Sequence, residues 1–238
     1  LALARIALRK QDMPEFDQHL DKLVESAPEN PEVLLLRAAA ARRDGEGAKA
    51  VKFAEQAFAL APATATLLAL GLHMESSASN EEALELYSEW LDQHPEDVAV
   101  RLAIAGRFGV ANREGEAKDQ YEEVIRIDED NVVALNNLAW YLRDEDSETA
   151  LEYARRASTL QKDSSAVLDT LAVVEFKNKQ YEQAKRSVLR ALKLTPTHPS
   201  MLYHKAMILV ALEDGATALK ILDELYESGA EFPEQEDA

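Results

Sequence analysis

Small residues recur along this chain at a nearly constant interval. Ala50, Ala83, Ala117, Ala150, Ala184 and Ala218 are separated by 33, 34, 33, 34 and 34 positions. Four residues after each stands an apolar or aromatic side chain (Ala54, Tyr87, Tyr121, Ala154, Val188, Leu222), and seven after stands another (Ala57, Trp90, Val124, Ala157, Ala191, Leu225). Offsets of four and seven share one face of an α-helix. Each copy therefore contains an amphipathic helix whose buried stripe starts at the small residue. Twelve positions after the alanine, Pro62, Pro95 and Pro196 close three of these helices, Pro28 does the same one unit upstream, and Glu129 and Lys162 hold the place in two others. Proline stops a helix because it lacks an amide hydrogen and clashes with the preceding turn.

About twelve residues before each alanine lies a second small residue: Ala38, Gly71, Ala105, Ala139, Ala172 and Ala206. A second apolar stripe surrounds these positions, as in Leu135, Leu138, Ala139 and Leu142. The unit is thus two helices that meet at small residues, joined by short polar turns such as Asp44-Gly45-Glu46-Gly47 and Lys177-Asn178-Lys179-Gln180. The pattern predicts helix pairs at 1–10 and 14–26, 31–43 and 47–60, 64–77 and 80–93, 97–111 and 114–127, 131–143 and 146–160, 164–177 and 181–194, and 198–212 and 215–228.

These columns resemble the tetratricopeptide repeat, whose first helix carries a Trp/Leu/Gly/Tyr signature and whose second carries Ala/Phe/Ala/Pro. The resemblance implies an all-α fold, a right-handed α-α superhelix of about seven helix-turn-helix repeats: 1–28, 29–62, 63–95, 96–129, 130–162, 163–196 and 197–229, with an acidic tail at 230–238. Such a solenoid buries a quasi-one-dimensional core in which each repeat touches its neighbours, so one array over 1–238 requires no second domain and no linker.

The formal charge of -18, from 44 acids against 26 bases, opposes nucleic acid and anionic membrane, both of which are bound by neutralising phosphates with Lys and Arg. It is compatible with a protein or peptide partner and with an acidic exterior that keeps a long array dissolved. There is no cysteine, hence no thiolate and no cysteine-ligated metal. Gly45-Glu46-Gly47-Ala48-Lys49-Ala50 follows a helix and not a strand, so it reads as a turn and not as a dinucleotide loop. The five histidines (His19, His73, His94, His198, His204) are scattered, without zinc-helix spacing. Asp128-Glu129-Asp130 and Asp144-Glu145-Asp146 lack the glycine and distal glutamate of a calcium loop and fall at joints, where acids favour helix starts. No cofactor, metal or catalytic residue is expected.

What remains is the surface of the first helices. In the family resembled, their non-packing positions line a concave groove that holds ligands. Carried over, these positions give Asn136, Asn137, Trp140 and Arg143 in the fifth repeat, Asp169, Thr170, Val173 and Phe176 in the sixth, and Tyr203, His204 and Met207 in the seventh. His73 and Ser76 are among those of the third. Trp140, Phe176 and Tyr203 set aromatic area beside the amides of Asn136 and Asn137, a combination that suits a protein segment; the competing reading is that Trp140 and Phe176 pack against neighbouring helices. Chaperone-binding members of the family clamp a peptide carboxylate with Lys, Arg and Asn. Asn136 resembles one clamp position, but Val133, Ala166 and Asp169 occupy the others, and an Asp there repels a carboxylate. Gly106 and Gly109, inside a first helix, read as a notch or a joint, and Gly71 and Ala69 read as compensation for the bulk of Trp90.

A narrower resemblance rests on Ala134-Leu135-Asn136-Asn137-Leu138-Ala139-Trp140-Tyr141-Leu142, Ala150-Leu151-Glu152-Tyr153-Ala154, Val167-Leu168-Asp169-Thr170-Leu171-Ala172 and Gly229-Ala230-Glu231-Phe232-Pro233-Glu234. These runs are similar to bacterial tetratricopeptide lipoproteins of the exopolysaccharide and PEP-CTERM/exosortase protein-sorting systems. That implies a non-catalytic scaffold in the periplasm or at the outer membrane, its lipid-bearing cysteine upstream. Two alternatives stay open: the partner-recruiting repeat region of a larger enzyme such as a glycosyltransferase, and a cytoplasmic adaptor. The register is already running at Leu1, which predicts a chain cut from a longer protein.

Overall fold

The structure, a computed structural model, describes residues 1–74 and 80–230; Ser76 and residues 231–238 of the acidic tail lie outside the described residues. Among the described residues there are fourteen helices and no strand: α1 (Ala2–Lys10), α2 (Met13–Ser26), α3 (Pro31–Arg43), α4 (Gly47–Leu60), α5 (Thr64–Met74), α6 (Asn80–Gln93), α7 (Val98–Val110), α8 (Glu114–Ile127), α9 (Val132–Leu142), α10 (Ser147–Leu160), α11 (Ser165–Lys177), α12 (Tyr181–Leu194), α13 (Pro199–Ala211) and α14 (Gly215–Ser228). Their ends fall within a residue of those the periodicity predicts, except that the last positions expected of α5 lie outside the described residues. No helix among the described residues is long and apolar enough to cross a membrane.

Both kinds of joint have a local cause. Where one pair ends and the next begins, Ala27, Ala61 and Thr195 leave the helix with φ between -152° and -133°, as a residue before proline must. Asp128 and Gln161, which precede Glu129 and Lys162, adopt φ of -134° and -127°. The joint geometry therefore survives where proline is missing. Side chains then start the next helix: Asn30 accepts from the Glu32 and Val33 amides, Asn131 from Ala134 and Ser164 from Val167, and within the fifth pair Asp146 likewise accepts from Thr149. Asp144, Glu145, Glu129 and Asp130 make ion pairs with Lys177, Lys118 and Arg156.

Within pairs, five of the turns share a left-handed residue: Gln11, Gly45, Asn112, Lys179 and Glu213, with φ between 55° and 76°. The amide that follows reaches back to the preceding helix, as from Asp12 to Ala7 O (3.0 Å), Glu46 to Ala41 O (2.8 Å) and Gln180 to Glu175 O (2.8 Å). This is the Schellman arrangement, which satisfies carbonyls that the helix end leaves open.

The small-residue columns are the packing contacts. Ala50, Ala83, Ala117, Ala150, Ala184 and Ala218 are 0–1% exposed, and Ala38, Ala105, Ala139, Ala172 and Ala206 are fully buried. The chain divides into two compact units, Leu1–Arg107 and Phe108–Ala238.

In the first unit, Phe16 of α2 is enclosed by Ala4 and Ala7 of α1 and Val33 and Leu36 of α3. Further on, Ala38, Ala54 and Leu70 pack with Phe53, Phe58 and Met74. Gly71 does not compensate for Trp90, as its column suggests. A Cβ at Gly71 would stand 1.8 Å from the Tyr87 hydroxyl oxygen, so the missing side chain makes room for Tyr87. Buried Arg107 completes this contact, donating to Gly71 O at 2.6 Å with its guanidinium 5.2 Å from the Tyr87 ring centre. Trp90 instead stacks on His94 at 3.9 Å, meets Phe58 edge-on, and donates to Asp97 at 2.9 Å. Asp97 also accepts from Thr64 Oγ1 (2.5 Å) and from the Val100 amide that opens α7. Burial alone would raise the Asp97 pKa, but these hydrogen bonds outweigh it and hold the carboxyl below its usual range. His73, expected in the groove, is buried; it follows Leu72, whose carbonyl accepts from Arg42 at 3.3 Å.

In the second unit, Ala139, Ala150, Ala154, Leu171 and Val174 form one cluster; Leu168, Ala172, Ala184, Val188, Met201 and Ile208 form the next; Tyr203, Ala206, Leu209, Ala218 and Leu225 form a third. Gly109 lies 2.9 Å, measured from an added Cβ, from the Tyr141 hydroxyl, whereas Gly106 of the first unit faces open space. Gly109 is thus a packing site.

Among the described residues of this unit, Glu175 is the one buried acid. It accepts from Ser187 Oγ at 2.7 Å, and burial, only partly offset by that bond and by Arg155, Arg186 and Arg190, pushes its pKa above 4.5. A carboxyl whose pKa is raised on folding stabilises fully below its unfolded pKa and loses that contribution as pH rises through the folded value. Glu175→Gln keeps an acceptor for Ser187 and removes the titration. The urea midpoint of this variant should rise relative to the parent as pH goes from about 4 to about 7; a constant offset across that range contradicts the assignment.

Candidate functional site

The first helices α9, α11 and α13 of the second unit share a cavity of about 320 Å³. Trp140 and Arg143 come from the end of α9, Val173, Phe176 and Lys177 from α11, and Tyr203, His204 and Met207 from α13. The spacing 173, 176, 177 places three α11 side chains on one face, one turn apart.

The turn after α9 supplies the polar edge because it departs from its counterparts. It has no left-handed residue: Arg143 stays right-handed at φ -54°, and the returning amide of Asp146 bonds Leu142 O at 2.8 Å. Arg143 is thereby held against the helix end. Its guanidinium lies 4.1 Å from the Trp140 ring centre, its Nη1 donates to Trp140 O at 2.5 Å, and its Nε is 3.4 Å from Asp144. Lys177 Nζ reaches the other oxygen of Asp144 at 2.5 Å. One carboxylate therefore serves two cations. A cation over an indole face adds attraction through the ring quadrupole.

Deeper in, His204 Nδ1 is 3.0 Å from each oxygen of Asp169. A carboxylate only accepts, so Nδ1 carries the hydrogen and, in the neutral ring, Nε2 is left as the acceptor. The imidazole is also 6.3 Å from Trp140 and 6.1 Å from Tyr203, ring centre to ring centre. Phe176 contacts Tyr181 of α12 at 5.6 Å. Trp140 and Phe176 are half-buried, so each packs on a neighbour and still presents area to the cavity.

Of the residues expected on this surface, Trp140, Arg143, Phe176, Tyr203, His204 and Met207 come together around the cavity, with Val173. The other four do not line it. Thr170 is buried within α11, and Asp169 is engaged by His204. Asn137 Nδ2 donates to Val133 O of its own helix at 2.8 Å, so one of its amide hydrogens is engaged locally. Asn136 is half-buried, and its Oδ1 has no hydrogen-bond partner among the described residues. Lys177 and Asp144 were not anticipated. Lys177 lies four residues after Val173, a spacing that marks the same helix face.

Comparison with known proteins agrees with this architecture. Residues 144–225 match the family model described as anaphase-promoting complex, cyclosome, subunit 3. A tetratricopeptide repeat protein from Parabacteroides merdae superposes with a TM-score of 0.68 at 16% identity, over 84% of this chain and 80% of that one. A chain of the APC/C hetero-tetramer Cut9-Hcn1 superposes with a TM-score of 0.73 at 14% identity, over 92% of this chain and 44% of that one. The fold is the tetratricopeptide solenoid. In sequence, the TPR repeat-containing protein PA4667 of Pseudomonas aeruginosa is 29% identical over 127 residues, 52% of this chain. The matched stretch spans 22% of that protein's own length. In this array the cavity lies between the first helices α9, α11 and α13.

Proposed function

We propose that this chain is a non-catalytic scaffold that binds a protein segment at the cavity of α9, α11 and α13. The carrying observation is that three successive first helices converge there, with Trp140, Phe176, Tyr203 and Met207 around a space of about 320 Å³. That is the size range in which ligand pockets begin, enough for one large side chain of a partner. Half-buried aromatic residues in such a setting are the usual anchors of an interface.

The finer assignment is a bacterial envelope assembly, of exopolysaccharide production or PEP-CTERM protein sorting, in the periplasm or at the outer membrane with a lipid anchor upstream. What supports it is the likeness of residues 134–142, 150–154 and 167–172 to lipoproteins of those systems, together with a bacterial relative over half the chain.

Trp140→Ala with Met207→Ala removes two half-buried walls. In cells expressing the tagged chain, recovery of its cross-linked partner should fall about tenfold or more, while circular dichroism stays that of the parent. Undiminished recovery by a folded double variant overturns the assignment of the cavity.

A further inference from the structure

We propose that the segment seated in this cavity is acidic: a large apolar side chain fills the space, and a carboxylate beside it lands between Arg143 and Lys177. The inference rests on the reading of the cavity as a protein-binding site and adds the chemistry of the partner.

Three observations carry it. First, the chain holds 44 acids against 26 bases, yet the described residues lining this cavity include Arg143 and Lys177 and no Asp or Glu. The bias is local. A cavity in the first unit shows what the chain does elsewhere, for it is lined by Glu55, Glu82, Glu85 and Glu89.

Second, the two cations are left one carboxylate short. Among the described residues Asp144 alone lies between them, 3.4 Å from Arg143 Nε and 2.5 Å from Lys177 Nζ, and both side chains are still about a third exposed, at 27% and 37%. A second carboxylate completes a two-by-two network, and guanidinium geometry suits it. Arg143 is also preorganised, stacked on Trp140 and bonded to its carbonyl, so little side-chain entropy is lost on pairing.

Third, the acid that would oppose such a ligand is already occupied. Asp169, whose position argues against a carboxylate clamp, has both oxygens 3.0 Å from His204 Nδ1. It does not line the cavity. The cationic edge and the Asp169–His204 pair belong to different parts of the site, so the carboxylate enters at α9 and α11 and the apolar side chain reaches toward α13.

The overall charge makes the test discriminating. A chain at -18 attracts basic peptides through its long-range field, which about 0.15 M salt screens beyond roughly 8 Å. A preference for an acidic peptide that persists in that salt must come from contact. The probes are three synthetic nonapeptides of Gly and Ser with a central Phe flanked by Glu, a central Phe flanked by Lys, or a central Ala flanked by Glu. They are titrated into the full chain and followed by nitrogen–proton chemical shifts.

The Phe–Glu peptide should bind about tenfold or more tightly than each of the others. Lys177→Glu, at an exposed position, should reverse the preference between the two Phe peptides. Equal binding of the Phe–Glu and Phe–Lys peptides overturns the proposal while leaving the cavity a binding site. Failure of both Phe peptides to bind the folded chain overturns the proposal and the cavity's role together. If the Phe–Glu and Ala–Glu peptides bind alike, charge alone is being read, and the anchored side chain is refuted.

Discussion

Gly71→Ala lowers the stability of the first unit by about 2–3 kcal/mol, whereas the same exchange at Gly106 raises it by up to about 1 kcal/mol. Both glycines sit within first helices, and in both a methyl group restricts the unfolded chain and favours the helix. The difference is space. A Cβ at Gly71 would stand 1.8, 2.4 and 3.0 Å from the hydroxyl oxygen, Cζ and Cε1 of Tyr87, while at Gly106 nothing lies within 4 Å. Tyr87 cannot swing aside cheaply, because it is 2% exposed and lies beside the buried Arg107, itself bonded to Gly71 O. Any shift of the ring therefore also disturbs that hydrogen bond. Urea titrations followed by circular dichroism should move in opposite directions for the two variants. In a Tyr87→Ala background the Gly71→Ala penalty should disappear, a coupling that a double-mutant cycle reads directly. A penalty that is the same with and without Tyr87 contradicts the steric account.

That contact marks where the sequence was legible and where it was not. The periodicity places the helices, because burial at offsets of four and seven is a one-dimensional property, and the alanine columns are indeed the enclosed ones. Which large residue a small one accommodates is three-dimensional. Tyr87 and Trp90 lie three residues apart on α6, and only the structure tells that Gly71 faces the former. The turns were legible in position but not in form, since four of the five left-handed residues are Gln11, Asn112, Lys179 and Glu213, none of them glycine.

The candidate site divides in the same way. Subtracting the packing columns leaves Trp140, Phe176, Tyr203, His204 and Met207, and those converge. Asn137 could not be read from its face alone, because an Asn side chain can bond a carbonyl one turn back in its own helix, as it does with Val133. Asp144 joins the site through the turn after α9, where it pairs with Lys177 of α11, and no residue in Arg143-Asp144-Glu145-Asp146 announces that turn's departure from the Schellman form. The placement of Arg143 and Asp144 is thus a product of loop geometry, and Lys177 and the apolar floor are products of helix periodicity.

The ladder also sets how closely paired helices approach, and Ala150→Leu should cost more than about 3 kcal/mol. Ala150 is fully buried, in one cluster with Ala139 of α9, Ala154 of its own helix and Leu171 and Val174 of α11. Three added carbons cannot be housed by rotating a neighbour, because Ala139 and Ala154 have no side chain to rotate and Val174 is fully buried and stiff at χ1. The helices must separate, which opens contacts along both stripes and not at one residue. Ala216→Leu is the matched control: the same carbons are added at an exposed position on α14, where surface exchanges change stability by about 0.5 kcal/mol or less. Because α9 and α11 also carry Trp140, Phe176 and Lys177, the overpacked variant should lose binding of the acidic Phe peptide even in conditions where its helicity is retained. The control should keep it. A folded Ala150→Leu chain with parental affinity would mean that the cavity does not depend on the spacing of α9 and α11.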